Sequence, residues 1–465
     1  MMYYPYPELT ESQRLALLRG YEPDSALIGF RRAAAALGPE QPSVAGARLE
    51  LWDGRLVYRL WREDGAKVAD LALVDAHTGL VLTPITAATA GEVARGVVGP
   101  RAPLDRVDLL ARSDHYFMGG EFRAAFPVYR VRFADAAATA VYVARNSGAV
   151  PAIVNRTTRV TTWLGTVPHW LYFMWLYYDH PSAWIWANLV LPGVAVGLAL
   201  TGITLGVYQL FPRRRRGVWR ISGYHGMSLW HHVTGVVFGL LVLTWALSGL
   251  LEILGVGNDP RPGQAARARG GAVAWPDIRV GEAAALARLR DLSHDPAPPR
   301  AIDLGQLDGH PGYAFLLDDH RTFWSDAATG TPRGELTPGE AAALGRRVMG
   351  GPPVAGVDRI DHYDAYYYAR HGREKRLPAF RVRFDDPERS VLYLDVVSGA
   401  PVGFVDRSTR SWRWWRDGLH DLDFPALNNR RPLWDLVVLP LMIGGTISAF
   451  TGVWLLLRRL KRMTV

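Results

Sequence analysis

The sequence predicts an integral membrane protein. Its fold class is a helical membrane part carrying two α+β extracytoplasmic domains, built as a tandem internal repeat. Three observations predict this. Apolar residues gather in three long runs while charge lies between them. Two segments far apart in the chain align without a gap. The stretches between the apolar runs alternate apolar and polar residues as half-buried strands do.

The three runs cover 186–211, 228–254 and 436–457. Each holds the roughly 20 apolar residues that a helix rising 1.5 Å per residue needs to cross a hydrocarbon core of about 30 Å. A fourth apolar stretch, 163–178, is shorter and is interrupted by Pro168 and His169. It reads as a lead-in helix lying at the membrane interface.

The repeat is carried by FPVYRVRFADAAATAVYVARNSGAVPAIVNRTTRVTTWLGTVPHWLYF (126–173) and LPAFRVRFDDPERSVLYLDVVSGAPVGFVDRSTRSWRWWRDGLHDLDF (377–424). The offset is 251 throughout and eighteen of the 48 positions are identical. The same offset joins Asp75 and Gly79 to Asp326 and Gly330. The mate of 163–178 is far too polar to span, which places both lead-in segments at the surface. Applied to run 228–254, the offset points to a mate upstream of Met1, so a fourth, missing helix is expected there.

These limits divide the chain. A first α+β domain covers 1–160, a lead-in helix 161–185, a span 186–211 and a basic loop 212–227. A second span, 228–254, precedes the second α+β domain, 255–411. A lead-in segment 412–435, a span 436–457 and a basic tail 458–465 follow.

Net charge is +9, and much of the excess stands beside the apolar runs. Arg213, Arg214, Arg215 and Arg216 form one cluster; Arg458, Arg459, Lys461 and Arg462 form another. Such placement fits the positive-inside rule, with the lipid bilayer as partner and both soluble domains outside the cytoplasm. It does not fit a nucleic-acid-binding face. The chain contains no cysteine, which excludes disulfides, thiolate metal sites and covalent c-type haem attachment.

Within the soluble domains RLELWDGRLVYRLW, VADLALVDAHTGLVL, PVYRVRFAD and TAVYVARNSGAV read as antiparallel hairpins. Helices are expected over 24–37 and 338–348. Thr337 caps the second, with Glu340 three residues on. The Gly/Pro/Arg-rich stretch 257–274 reads as a flexible link.

The units ending in D-x-x-[TS]-G-x-x-V resemble PepSY modules. WHHVTGVVFGLLVLTWALSGLLEI resembles the His-x-x-x-Gly helix of PepSY-associated transmembrane proteins, and RPLWDLVVLPLMIGGTISAFTGVWLLLRR resembles that family's closing helix. The resemblance implies relatives among iron-regulated inner-membrane proteins and ferric-siderophore reductases that carry b-type haem.

Histidine is the available metal ligand beside the carboxylates. His169 and His420 are repeat mates, and a pair of imidazoles facing each other across a porphyrin is the bis-histidine b-haem arrangement. Their other reading is interfacial, bonded to headgroups or to Asp421 and Asp423. His231, Gly235 and Gly239 share a helix face, where small residues admit a partner helix or a flat ring. His231 matches the resembled family's His-x-x-x-Gly. His232 and His225 share a different face and are further candidates. Arg156, Arg159, Arg407 and Arg410 precede the lead-in segments and suit headgroups or haem propionates. No phosphate loop or dinucleotide fingerprint is present. The expected function is b-haem electron transfer across a bacterial inner membrane. A cytoplasmic or quinol donor would supply electrons, and an acceptor such as a ferric chelate would take them outside. The alternatives are a non-enzymatic membrane-anchored PepSY binding or regulatory module, and a component of iron or metal-chelate uptake.

Overall fold

The computed structural model describes residues 7–38, 44–64, 67–118, 125–210, 213–215, 218–220, 222–255, 264–270, 273–293, 297–317, 321–369, 375–428, 430 and 432–464. The chain opens with helices α1 (Glu11–Leu17) and α2 (Phe30–Ala35) and the meander β1 (Gly46–Trp52), β2 (Arg55–Asp64) and β3 (Lys67–Asp75). Helix α3 (Ala87–Val98) leads to a second meander: β4 (Leu104–Leu110), β5 (Val128–Phe133), β6 (Ala140–Ala144) and β7 (Ala152–Val154). Short helices α4 (Arg156–Leu164) and α5 (Thr166–Trp170) and a π-helical turn, Trp175–Asp179, precede the long helix α6 (Pro181–Gln209). A hairpin of β8 (Arg213–Arg215) and β9 (Val218–Arg220) leads into α7 (Met227–Ile253).

The order then recurs. Helices α8 (Gln264–Arg269) and α9 (Glu282–Ser293) precede β10 (Ala301–Leu307), β11 (His310–Leu316), β12 (Thr322–Asp326) and β13 (Pro332–Arg333). Helix α10 (Pro338–Met349) leads to β14 (Val354–Ile360), β15 (Ala379–Phe384), β16 (Val391–Asp395) and β17 (Pro401–Val405). Helix α11 (Arg407–Trp412), a π-helical turn Arg413–Gly418, α12 (Pro425–Asn428) and the long α13 (Leu433–Met463) complete the chain.

Two compact units result. The first comprises Met1–Met174, Pro260–Tyr363 and Tyr367–Asp406; the second comprises Trp175–Asp259, Asp364–Tyr366 and Arg407–Val465. The separate domains expected over 1–160 and 255–411 therefore share one unit. The reason lies in the sheets. Strands β1 and β10 pair antiparallel, with Arg48 opposite Asp303 and Leu49 opposite Ile302. This joins the two meanders into a seven-stranded sheet of order β13-β12-β11-β10-β1-β2-β3. Either meander alone would present an unpaired edge of N–H and C=O groups, and the pairing satisfies both. Arg48 fixes the junction by donating to Asp303 at 2.6 and 2.9 Å and pairing with Glu11 at 2.7 Å. One face buries Phe30, Tyr58, Leu286, Tyr313 and Phe315 in a common core. Glu282 crosses it, accepting from the Phe30 amide at 3.2 Å and from the Tyr58 hydroxyl at 3.1 Å.

Two further sheets, β4-β5-β6-β7 and β14-β15-β16-β17, have the same order. Positions 251 apart adopt the same backbone. Pro127 and Pro378 follow cis bonds, and Ala138 and Arg389, and Leu171 and Leu422, all have positive φ. Helix α10 begins at Pro338, with Thr337 and Glu340 forming the expected capping box. The expected helix 24–37 is shorter. Asp24 draws the Ala26 amide into a turn at 2.8 Å, and Gly29, at φ 81, breaks the chain before Phe30. Half of the expected link 257–274 is also ordered: Arg267 on α8 donates to the Val348 carbonyl, and Asp308 N–H donates to Ala268 O. Residues 257–263 and 271–272 of that link lie outside the described residues.

In the second unit three helices, α6, α7 and α13, are long and apolar enough to cross a membrane. Their 29, 27 and 31 residues begin or end a few positions beyond the expected runs. Helix α6 takes in 181–185, which the sequence assigned to the lead-in. The rest of that lead-in breaks at Leu171, whose left-handed φ of 53 ends α5.

Candidate functional site

Helix α7 packs against both α6 and α13. Glycines bring the helices together. A Cβ at Gly206 of α6 would meet Val236 at 2.8 Å, and one at Gly239 of α7 would meet Ile203 of α6 at 2.8 Å. A Cβ at Gly444 of α13 would overlap the Phe238 ring, and one at Gly452 would meet His231 at 3.1 Å. These contacts run in opposite directions along each pair, so both pairs are antiparallel. The C-terminal ends of α6 and α13 thus share one end with the N-terminus of α7. The face His231–Gly235–Gly239 is closed by neighbouring helices rather than left as a slot. Gly239 meets α6, and the atom nearest to Gly235 is the Ser448 hydroxyl of α13 at 3.9 Å.

His231 lies at that shared end, half-buried against α13. Its Nδ1 is 3.2 Å from the Ser448 carbonyl and 3.1 Å from the Thr451 hydroxyl. A carbonyl only accepts. The Thr451 hydroxyl proton is already directed to the Ile447 and Ser448 carbonyls, at 2.8 and 2.9 Å. Nδ1 must therefore carry the hydrogen, and Nε2 carries the lone pair.

His420 repeats this logic at the other end of α7. Its Nδ1 lies 2.9 Å from the Ser248 hydroxyl. Ser248 directs its own proton to the Thr244 carbonyl at 2.6 Å, with the Trp245 carbonyl at 3.1 Å. The serine oxygen thus accepts from Nδ1–H. The ring also packs on bare backbone, since a Cβ at Gly249 would lie 3.7 Å from it. The segment is pinned by Arg416, which pairs with Glu252 of α7 at 3.4 Å and with Asp417 and Asp421 at 3.0 Å. Burial opposes the arginine's charge, but Asp421, Glu252 and Asp417 outweigh it and hold the guanidinium protonated. His231 and Ser248 are 17 positions apart in α7, roughly 25 Å along its axis.

The other expected ligands differ. His232 is buried, and both of its nitrogens are committed. Nε2 lies 2.9 Å from the Gly206 carbonyl and must donate to it, so Nδ1 accepts from the Ser222 hydroxyl at 2.8 Å. So bonded, the His232 ring joins α7 to α6 and to Ser222. His225 stands before α7 begins at Met227 and is exposed, so it shares no helix face with His232. His169 is exposed on α5, its ring edge-on to Trp170 at 5.8 Å. His169 belongs to the first unit and His420 to the second, so their expected pairing is not a contact within either.

Arg159 donates to the Ala138 carbonyl and lies over Tyr116, while Arg410 lies over Tyr366, each at 5.8 Å from the ring centroid. Among the described residues no three His, Asp or Glu side chains gather as a metal site. Sequence reasoning missed Ser248, Thr451, Glu252 and Arg416. Glu252 had a legible signal, being the one carboxylate in α7. The two hydroxyls had none, because serine and threonine in a span ordinarily bond back to their own helix. No protein-family model matches the chain, and no curated protein matches it.

Proposed function

We propose that this chain is an inner-membrane b-haem electron-transfer protein that reduces an extracytoplasmic acceptor such as a ferric siderophore. One observation carries the reading. At both ends of α7 an imidazole rests its Nδ1 on a helix hydroxyl whose own proton is directed to a carbonyl, which orients the ring. Histidine ligands of haem iron are oriented in this way, and the donor set of imidazole without thiolate suits a b-type group. Haem iron, when bound, carries one electron at a time between its ferric and ferrous states.

His231 would hold iron at one end of α7 and His420 at the other. The closeness of the basic segments at one end of the helices supports a cytoplasmic position for His231 and an outer position for His420. In this reading each four-stranded sheet with its helix, α3 or α10, is a PepSY-like module of a tandem repeat. The donor would be a cytoplasmic carrier or a quinol.

A visible spectrum of the purified full chain after haem supplementation tests the reading. The expected result is a Soret band that shifts on dithionite reduction. His420→Ala and His231→Ala each diminish it, and His232→Ala leaves its position unchanged. A chain without the band leaves the non-enzymatic binding module as the reading.

A further inference from the structure

A cavity of about 300 Å³ lies between β11, β12 and the start of α10, lined among others by Leu307, His310, Trp324, Asp326, Arg333 and Glu340. The matching region in the first half of the chain has the same backbone framework and different side chains. The frameworks correspond. Asp75 and Asp326 each accept the two following turn amides on Oδ1. Thr86 and Thr337 each cap the helix, α3 or α10. Ile85 and Leu336 each donate a backbone bond to a residue 60 positions on, Arg145 and Val396.

The side chains do not correspond. In the first half Trp52, Leu73, Ile85, Val93 and Leu82 pack into one apolar cluster. Trp52 is replaced in the second half by Leu307, at the same place before an Asp-Gly turn, and Leu73 by Trp324. Leu82, which seals the first cluster, is replaced by Arg333, and Thr89 by Glu340. The indole of Trp324 has moved over Gly305 and Gly312, where any Cβ would collide with it. Leu307, Trp324, Leu336 and Leu344 pack into a buried apolar cluster of their own, and ionic groups absent from the first half line the cavity beside it.

We infer that this cavity is a binding site for a small organic cation with an apolar body. Of the lining carboxylates, Glu340 pairs with Arg333 at 3.3 Å and Asp308 pairs with Arg347, so the charge set toward a cation is that of Asp326. Trp324 offers the ring type that best holds a cation, and Leu307, Leu336 and Leu344 supply an apolar floor. The Thr337 amide and hydroxyl bond the Glu340 carboxylate and hold its carboxyl below the usual value.

Isothermal titration of the full chain in detergent tests this with benzylamine, benzyl alcohol and benzoate, which share a ring and differ in charge. Benzylamine binds, benzyl alcohol binds at least about tenfold more weakly, and benzoate gives no heat. Asp326→Asn keeps the turn acceptor and removes the charge, and it weakens benzylamine by about tenfold. The paired swap Leu307→Trp with Trp324→Leu restores the first-half residues at nearly constant volume and abolishes binding. Equal affinity for all three probes, or full affinity in Asp326→Asn, overturns the inference even if the paired swap does not fold.

Discussion

Ser248 and Thr451 each turn a histidine into a defined tautomer, and neither does so by its own identity alone. Each hydroxyl spends its proton on a carbonyl of its own helix, and only then is its oxygen obliged to accept from a neighbour's ring. Ser248→Ala removes that acceptor and lets the His420 ring turn. Under the proposed haem reading, retention of added haem should fall by about tenfold, in the range seen for lost outer partners of metal-bound histidine. Ser248→Thr keeps the hydroxyl and should keep the affinity. Haem titration of the two variants checks this, and equal loss in both would mean that packing, not the hydroxyl, matters. The histidines themselves were legible in the sequence, but their roles were not. His231 and His232 are adjacent, yet one keeps a lone-pair nitrogen and the other spends both nitrogens on Ser222 and Gly206.

At the scale of elements, the long helices meet through glycine. Gly444 takes the Phe238 ring against its backbone. Gly444→Ala puts a methyl group where that ring lies and should cost about 1–3 kcal/mol, as overpacking does. The melting temperature in detergent measures it, and no decrease would show that the ring moves aside freely. Helix α10 was readable to its first residue, because Thr337, Pro338 and Glu340 make a local start signal. Helix α2 was not. Its expected first turn is lost to the Asp24 turn and Gly29, and what remains is held by burial of Phe30 in a core supplied by both halves of the chain.

For the whole strand-rich unit, stability depends on the junction of β1 with β10 and on the charges set across it. The Arg48 guanidinium and that of Arg14 hold Glu11 down from 4.5 to about 2 although burial pushes the other way. A depressed carboxylate contributes stability above its unfolded value, and that contribution is lost as pH falls from about 4.5 toward about 2. Glu282 behaves oppositely. Burial raises its folded value, so its contribution is full below the unfolded value and is lost as pH rises through the folded one. Chemical denaturation across this range should give a stability that falls on the acid side, with the fall reduced in Glu11→Gln. Glu282→Gln, which still accepts from Phe30 and Tyr58, should lessen the decline with rising pH. An unchanged acid limb in Glu11→Gln would show that the junction does not feel this pair. Arg48→Ala leaves the part-buried Asp303 without this guanidinium and should lower stability by about 1–2 kcal/mol, below the range for a fully buried pair.

The sequence by itself determined the three apolar helices, the hairpins and the cap of α10. Hydropathy, alternation and capping act over a few residues, and neighbours in the chain suffice to express them. The tertiary structure decided that the two strand-rich halves share one sheet, because an edge strand finds its partner by unsatisfied hydrogen bonds and not by sequence proximity. It also decided which hydroxyl each histidine ring rests on. Those bonds join residues 172 and 220 positions apart, and no local pattern encodes which hydroxyl will arrive.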